Sequence, residues 1–423
     1  MTPPPTISGP RSIELSTLPW DLPLEEWPDD VLVALPRGIS RHIVRFVQAG
    51  EDIAAVKETI PAMAEREFDL LRRLRKLDIP TVKPMAVVTG RVDPDGNELP
   101  ACLITKHLRF SMPYRAVFSQ TLRADTATRF VDALSVLLVR LHLAGFYWGD
   151  VSLSNVLFRR DAGSFAAYLV DAETGELIDG MLSDGQRAND IEVARVNIAG
   201  ELLDLEAGGR LDDSIDAVEL ANKFVASYEN LWHELTDWDT FDSWDTWRVT
   251  DRIQRLNELG FDIEEISLTT EAGTNRVRVK PKVVDAGHHA RRLMRLTGVD
   301  AEENQARRLL NDVDQFIARR GNGSSPEHED RLAHEWLTTV FEPVVDSIPR
   351  DLRGKLDGPQ VFHELLEHRY YMSKQRDAEV SMDEAVTSYV ETILPFRRDE
   401  EALFTPATEV ISLPKDADWR DLV

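Results

Sequence analysis

The chain reads as an α+β protein: a two-lobed module in the first half, followed by a mostly helical second domain. Three observations predict this. Short apolar runs with a period near two fill residues 31–56. Apolar residues recur at three and four over 62–77 and 126–143, the spacing of one helix face. From residue 217 onward almost every periodic segment is helical.

In chain order, residues 1–30 are rich in proline and acidic residues and predict an extended N-terminal arm. Residues 31–35, 42–47 and 52–56 predict three short strands, with the polar turn 48–51 between the last two. Lys57 leaves the third strand. A helix follows over 62–77, with Phe68, Leu71, Leu74 and Leu77 on one face. Residues 82–89 and 101–105 predict a strand pair joined by the turn VDPDGNE. These elements make a first lobe over 31–108. The second lobe, 109–212, holds the helix 126–143, with Phe130, Val131, Leu134, Leu137, Leu138 and Leu141 in register. It continues with a hairpin of 155–158 and 166–170 around the polar turn 159–164, and a helix over 189–205.

Residues 213–396 predict the helical domain. Its helices fall over 217–235, 247–259, 286–296, 302–319, 327–345, 359–372 and 382–394, with GNGSSPE as the clearest loop. One β-hairpin, 266–270 with 276–283 around EAGTN, interrupts them. Trp232, Trp238, Trp244 and Trp247 cluster early in this half, and packing between helices is the expected use of such rings. Residues 397–423 form a tail.

Composition bounds the function. The 423 residues carry a net charge of -25 with pI near 4.8, which argues against a binder of nucleic-acid backbones or anionic membranes. The single cysteine, Cys102, excludes an intramolecular disulfide and a thiolate metal cluster, and its apolar surroundings predict burial. The N-terminus lacks the pattern of a secretory signal, and no apolar run approaches a membrane span. A cytoplasmic protein is expected.

The chemistry centres on residues 141–176. Asp150 and Asn155 stand five apart in GDVSLSN, and Asp171 follows the apolar run 166–170. Phosphoryl transfer asks little covalent help of a protein. It needs a positioned nucleophile, held metal ions and neutralised phosphate charge, and this pattern of Asp, Asn, strand, Asp supplies them. Alone, GDVSLSN is also an ordinary turn sequence. Its meaning comes from upstream, where Lys57 leaves a strand and is followed about ten residues later by an acidic helix. That arrangement brings an ammonium to the α- and β-phosphates and anchors it with a carboxylate. Helical period does not separate Glu67 from Glu65 as the anchor; Glu67 is the choice carried forward. Lys106, His107 and Leu108, after the last strand of the first lobe, form the expected hinge against adenine.

Lys57, Glu67, Asp150, Asn155 and Asp171 together resemble the protein-kinase-like fold. AAVKET is similar to its strand-lysine motif, and LHLAGFYWGDVSLSNVLF to the catalytic loop LHxxGxxHGDLxxxNIL. The chain resembles bacterial proteins similar to the lipopolysaccharide kinase (Kdo/WaaP) family that carry an uncharacterised C-terminal domain. The kinase likeness spans about residues 31–210. The C-terminal likeness rests on VKPKVVDAGHHARRLMRLTGVDAEENQARRLLNDVDQF and HEWLTTVFEPV. The resemblance implies ATP and Mg2+ as cofactors and a hydroxyl-bearing acceptor. It implies Lys57 on the α- and β-phosphates, Glu67 orienting it, Asp150 as base, and Asn155 and Asp171 on metal.

The departures are informative. No GxGxxG is present, and Gly38 is the sole glycine between the first two strands. Trp148, Gly149 and Asp150 replace His-Arg-Asp. Asp171, Ala172 and Glu173 replace Asp-Phe-Gly, which resembles the D-x-E of antibiotic and choline kinases and makes Glu173 a further metal ligand. No APE motif follows. These changes favour a small-molecule or atypical kinase over a regulated protein kinase. The alternatives are a nucleotide-binding scaffold for a regulatory partner, with the C-terminal domain as a partner surface, and nucleotidyl transfer on the same fold. Asp190 reads either as a helix cap or as a brace for the catalytic loop. No zinc site is expected: His363 and His368 in HELLEH are five apart, and His288 and His289 are adjacent, so neither pair shares a helix face.

Overall fold

The computed structural model describes residues 5–401 apart from 11, 34, 36–41, 119–121, 123, 238, 243–250, 253–255, 257–260, 263–264, 271–275, 283–284, 321–325 and 398, with side chains also left aside at 12–13, 239–242, 262, 265–270, 276–282, 285–286 and 326. The α+β class holds: an antiparallel sheet forms the first lobe and helices dominate the rest.

The sheet comprises β1 (Thr6–Ser8), β2 (Val44–Ala49), β3 (Asp52–Thr59), β4 (Lys83–Thr89) and β5 (Ala101–Lys106), in the order β1-β4-β5-β3-β2. The strand expected at 31–35 is reduced to a bridge, Leu32 opposite Val47. Gly38 lies outside the described residues. Alternation along β3 explains its two roles. Ala54, Val56 and Glu58 are buried against one face of the sheet, while Lys57 points to the other, towards α2 (Pro61–Lys76). This helix opens with proline at its first position, where no amide hydrogen is needed, and closes with Arg73, Arg75 and Lys76 against its negative end.

The described part of the first thirty residues, including the short helix α1 (Ser12–Leu15), packs on the sheet instead of extending from it. Thr6–Ser8 pair with β4, and Leu15, Trp20, Leu24 and Trp27 bury themselves against Val47, Val56, Val88 and Ile104. Arg91, fully buried, ties this segment down. It donates to the carbonyls of Trp20 (3.1 Å) and Leu22 (2.5 Å) and to Glu58 (2.8 Å), which also accepts the Leu24 amide. The anchors follow no regular spacing, so periodicity could not reveal them.

The second lobe opens with β6 (Ser111–Pro113) and α3 (Tyr114–Phe118) and is built on α4 (Ala124–Leu143), followed by the short strand β7 (Phe146–Tyr147). The apolar face of α4 meets the hairpin of β8 (Val156–Asp161) and β9 (Ser164–Leu169). Phe130 contacts Phe158 edge-on at 5.0 Å and stacks on Phe165 at 3.8 Å. The hairpin is longer than its sequence suggested: Arg159, Arg160 and Asp161 lie in strand, leaving a turn at Ala162 and Gly163. Two more helices complete the lobe, α5 (Asp184–Ala207) and α6 (Ala217–Thr236). The buried side chains Leu220, Phe224, Tyr228, Leu231 and Leu235, and beyond them Leu256 and Phe261, share one core with α4, which therefore crosses the boundary expected at 212 and 213.

The last core gathers Leu293, Leu309, Val313, Trp336, Phe341, Phe362 and Tyr389 from helices between 288 and 392. The helix expected at 327–345 is broken by a wide π turn at Leu337–Phe341, before Pro343. Proline there has no amide to donate and would clash with the carbonyl four residues back, and the wider turn relieves both problems. The hairpin Glu265–Thr270 with Arg276–Lys282 forms as expected and takes Asp239–Asp242 as a third strand. Of the helix expected at 247–259, residues 251, 252 and 256 are described, each helical, with Leu256 buried; the turn EAGTN and the rings of Trp238, Trp244 and Trp247 lie outside the described residues. Trp232 stacks on Tyr228 at 6.0 Å, with the Arg187 guanidinium 4.1 Å from its centre. Among the described residues no helix is long and apolar enough to cross a membrane.

Candidate active site

Lys57 is the hub. Its Nζ lies 3.0 Å from Glu67 Oε2, 2.8 Å from Asp171 Oδ2 and 3.2 Å from Glu173 Oε2. Residues 10 and 114 positions away along the chain therefore meet on one ammonium. Glu67 sits on the buried face of α2 with Ala64, Leu71 and Leu74, whereas Glu65 is exposed, so helix phase decides between them. A carboxylate among apolar neighbours must be paired. Burial, followed by the like charge of Asp171, pushes Glu67 up to about 7 against the opposing pull of Lys57. Burial opposes the charge on Lys57, but the Glu67 and Asp171 carboxylates outweigh it and hold the ammonium above its ordinary range. Glu67 also accepts the Ala172 amide at 3.3 Å, which ties α2 to the segment after β9.

The loop from Trp148 to Asn155 forms the opposite wall. Gly149 adopts φ +77°, a conformation glycine reaches without strain. Asn155 donates from Nδ2 to the Asp150 carbonyl (3.0 Å) and to its Oδ2 (3.1 Å). Asn197 on α5 donates to Asp150 Oδ1 at 3.4 Å and to the Val151 carbonyl at 3.0 Å. The β8–β9 pairing then brings the two candidate metal ligands together, since the Val170 amide donates to the Asn155 carbonyl at 3.0 Å. Asn155 and Asp171 thus sit at the open end of one hairpin.

Two residues of α5 outside the recognised motif, and Trp148 within it, hold this loop further. Asp190, fully buried, accepts the amides of Trp148 (2.8 Å) and Gly149 (2.7 Å) and faces His142 Nε2 at 3.1 Å. The bracing reading of Asp190 therefore stands and the capping one falls. The helix begins six residues earlier, where Ser183 and Gln186 form a capping box. Glu201 accepts the Leu153 and Ser154 amides at 2.8 and 2.9 Å. Trp148 replaces a polar signature residue with an indole that is fully buried and donates to the Asp171 carbonyl at 3.1 Å. Asn197 and Glu201 occupy one face of α5 at a four-residue spacing, a signal too common to single them out.

Each of the three residues expected at a hinge has a partner within the chain. Lys106 pairs with Asp52 at 2.7 Å. The His107 amide donates to the Ile53 carbonyl at 2.8 Å, extending the β3–β5 ladder, and the Leu108 carbonyl accepts Ser111 Oγ at 2.6 Å. His107 is buried, which with Arg109 nearby lowers its pKa to about 4 and keeps the ring neutral. His42 meets Glu173 at 2.9 Å. Beside them a cavity of about 420 Å³ opens between His42, Ile43, Thr59, Met63 and Glu173.

Among the described residues, Glu67, Asp171 and Glu173 form the one cluster of side chains with metal-ligating atoms mutually close. Their donors, with the side-chain oxygen of Asn155, are all hard oxygens, the set that magnesium takes. Of the histidines weighed for zinc, His363 lies 3.7 Å from Glu367, His368 bonds Ser388, and His289 bonds Glu303.

Residues 56–192 match the lipopolysaccharide kinase (Kdo/WaaP) family, and residues 230–394 match a domain of unknown function, DUF4032. No curated protein matches the chain. Among solved structures it is similar to WaaP in complex with acyl carrier protein, at 14% identity and TM-score 0.36, over 60% of this chain and 99% of that one. It is also similar to the yeast RNA Pol II CTD kinase CTDK-1 complex, at 15% identity and TM-score 0.25, over 35% of this chain and 51% of that one. The match to the lipopolysaccharide kinase family thus falls in the first half of the chain and the match to DUF4032 in the second.

Proposed function

We propose that this chain transfers the γ-phosphoryl group of ATP, with magnesium, to a hydroxyl-bearing acceptor. The observation that carries the reading is the Lys57 ammonium gathered onto Glu67, Asp171 and Glu173, on the same hairpin end as the Asp150–Asn155 loop. In this reading Lys57 binds the α- and β-phosphates and Glu67 holds it in place. Asn155, Asp171 and Glu173 hold magnesium, which neutralises charge on the phosphate oxygens. Asn155 turns its Nδ2 to Asp150, which leaves its Oδ1 for that task. Asp150, fixed by Asn155 and Asn197, takes the proton of the acceptor hydroxyl as that oxygen bonds to phosphorus. The bond to the bridging oxygen breaks and ADP departs.

Calorimetry of Mg·ATP binding tests this. Asp171→Ala should abolish magnesium-dependent affinity, and an unchanged affinity overturns the assignment. Slow ATP hydrolysis by the whole chain should vanish in Asp150→Asn. The occupied His107 amide favours a second reading, a nucleotide-binding scaffold. A wild-type protein that binds Mg·ATP and leaves it intact would establish that scaffold, and a product heavier by a nucleotidyl group would move the reaction to nucleotidyl transfer.

A further inference from the structure

The β8–β9 hairpin has two faces. Val156, Phe158, Ala167 and Leu169 pack inward on the core of the second lobe. Leu157, Arg159, Asp161, Ala166 and Tyr168 face the other way by the two-residue alternation of strands. A free kinase-like module would leave that second face to water. Here the C-terminal helical domain covers it, with polar contacts. Arg159 is 8% exposed and its two terminal nitrogens reach Glu302 at 2.9 Å and Asp357 at 3.0 Å. Tyr168 donates its hydroxyl to Glu302 at 2.7 Å. Asp161 accepts the Gln305 amide at 2.8 Å and Asn304 Nδ2 at 2.9 Å. At the hairpin turn, Gln360 bonds both the amide and the carbonyl of Ala162.

Two properties make this more than docking. The contacts are buried and charged, so each member depends on its partners and moves only with them. They also sit close along the chain to the candidate metal ligands. Arg159 is four residues after Asn155, and Tyr168 is three before Asp171. The hairpin is short and its ladder continuous, so a shift at Arg159 or Tyr168 reaches both ligands.

We propose that the helical domain positions the magnesium ligands Asn155 and Asp171, with Glu302 acting on them through Arg159 and Tyr168. Arg159, Tyr168 and Glu302 are positioning residues, and the domain of unknown function is a structural part of the nucleotide site. This rests on the phosphotransferase reading, because it takes Asn155 and Asp171 as metal ligands.

The test uses the full chain with Tyr168→Phe, which removes one hydroxyl and little volume, and with Glu302→Gln. Manganese affinity, read by water-proton relaxation well below the melting temperature, should weaken about tenfold in both variants. The KM for Mg·ATP should rise more than kcat falls. Arg159→Met should weaken it further, with partial rescue in Arg159→Lys. Hydrogen exchange at the Val170 amide, which bonds the Asn155 carbonyl, should quicken in each. A merely structural role predicts lower melting temperatures with unchanged manganese affinity and unchanged Val170 exchange, and that result in Tyr168→Phe overturns the proposal even if Glu302→Gln fails to fold. A wild type that binds neither manganese nor Mg·ATP sinks the phosphotransferase reading and this proposal's metal assignment together. Faster Val170 exchange in that case would mark the failure as one of function and not of coupling.

Discussion

The carboxylate of Asp190 lies 2.8 Å from the amide nitrogen of Trp148, inside the core, where it also accepts the Gly149 amide. The loop that carries Asp150 therefore starts from a buried charge on another helix. Asp190→Asn keeps the shape and removes the charge. It should cost about 2–4 kcal/mol, since hydrogen bonds to a buried ionised acceptor contribute roughly 1.5–3 kcal/mol each and asparagine preserves part of them. Chemical denaturation gives the loss. Any phosphotransfer should fall at least about tenfold in turnover, because Asp150, the base in the proposed reaction, is displaced.

Gly149 stands next to Asp150 at φ +77°, and an added Cβ would meet the Tyr147 ring at 3.4 Å, an ordinary contact. Space is available, so conformation sets the penalty. Gly149→Ala should lose about 1–2 kcal/mol, the left-handed penalty of an L side chain. A shift of melting temperature reads it. A neutral variant would mean that the loop relaxes to another conformation.

Glu67 makes stability depend on pH. Burial and Asp171 raise its folded-state pKa from 4.5 to about 7, so the folded protein takes up a proton more readily than the unfolded chain. The stability from that proton is fully present below pH 4.5 and is lost as pH rises towards 7. Urea denaturation across that window should show a steeper decline in the wild type than in Glu67→Gln, because Asp161 and Glu400, also raised to about 7 by burial, titrate in both.

Cys102 is buried in the sheet beneath the N-terminal segment, and burial pushes its thiol from 9.0 up to about 12. The thiolate population at pH 8 should be about a thousandfold lower than in the unfolded chain, so iodoacetamide should label the protein only after denaturant is added. Labelling of the native chain would show that residues 15–27 detach from the sheet. As with Glu67, the sign is that of a raised acid: this contribution is present below pH 9.0 and is lost as pH rises towards 12.

Much of the site was legible in order along the chain. Lys57, an acidic helix, Asp150, Asn155 and Asp171 depend on local chemistry and chain order, and both survive in a linear text. Helix phase in three dimensions chose Glu67 over Glu65, because residues two apart point to nearly opposite sides of a helix and only one can face β3. Asn197, Glu201 and Asp190 were not separable from ordinary helix carboxylates and amides, since their partners lie more than 40 residues away.

What the sequence by itself determined was the set of elements and the chemistry of the loop, because period and residue type act over a few neighbours. The meaning of Arg159 and Asp161 needed the folded chain. By composition they were a polar turn, and a strand face that is charged looks solvated. Burial depends on what covers the face, and here that is a domain more than 130 residues further on, whose Glu302, Gln305 and Asp357 supply the partners. Only tertiary structure places those groups together, and with them the hairpin that carries Asn155 and Asp171.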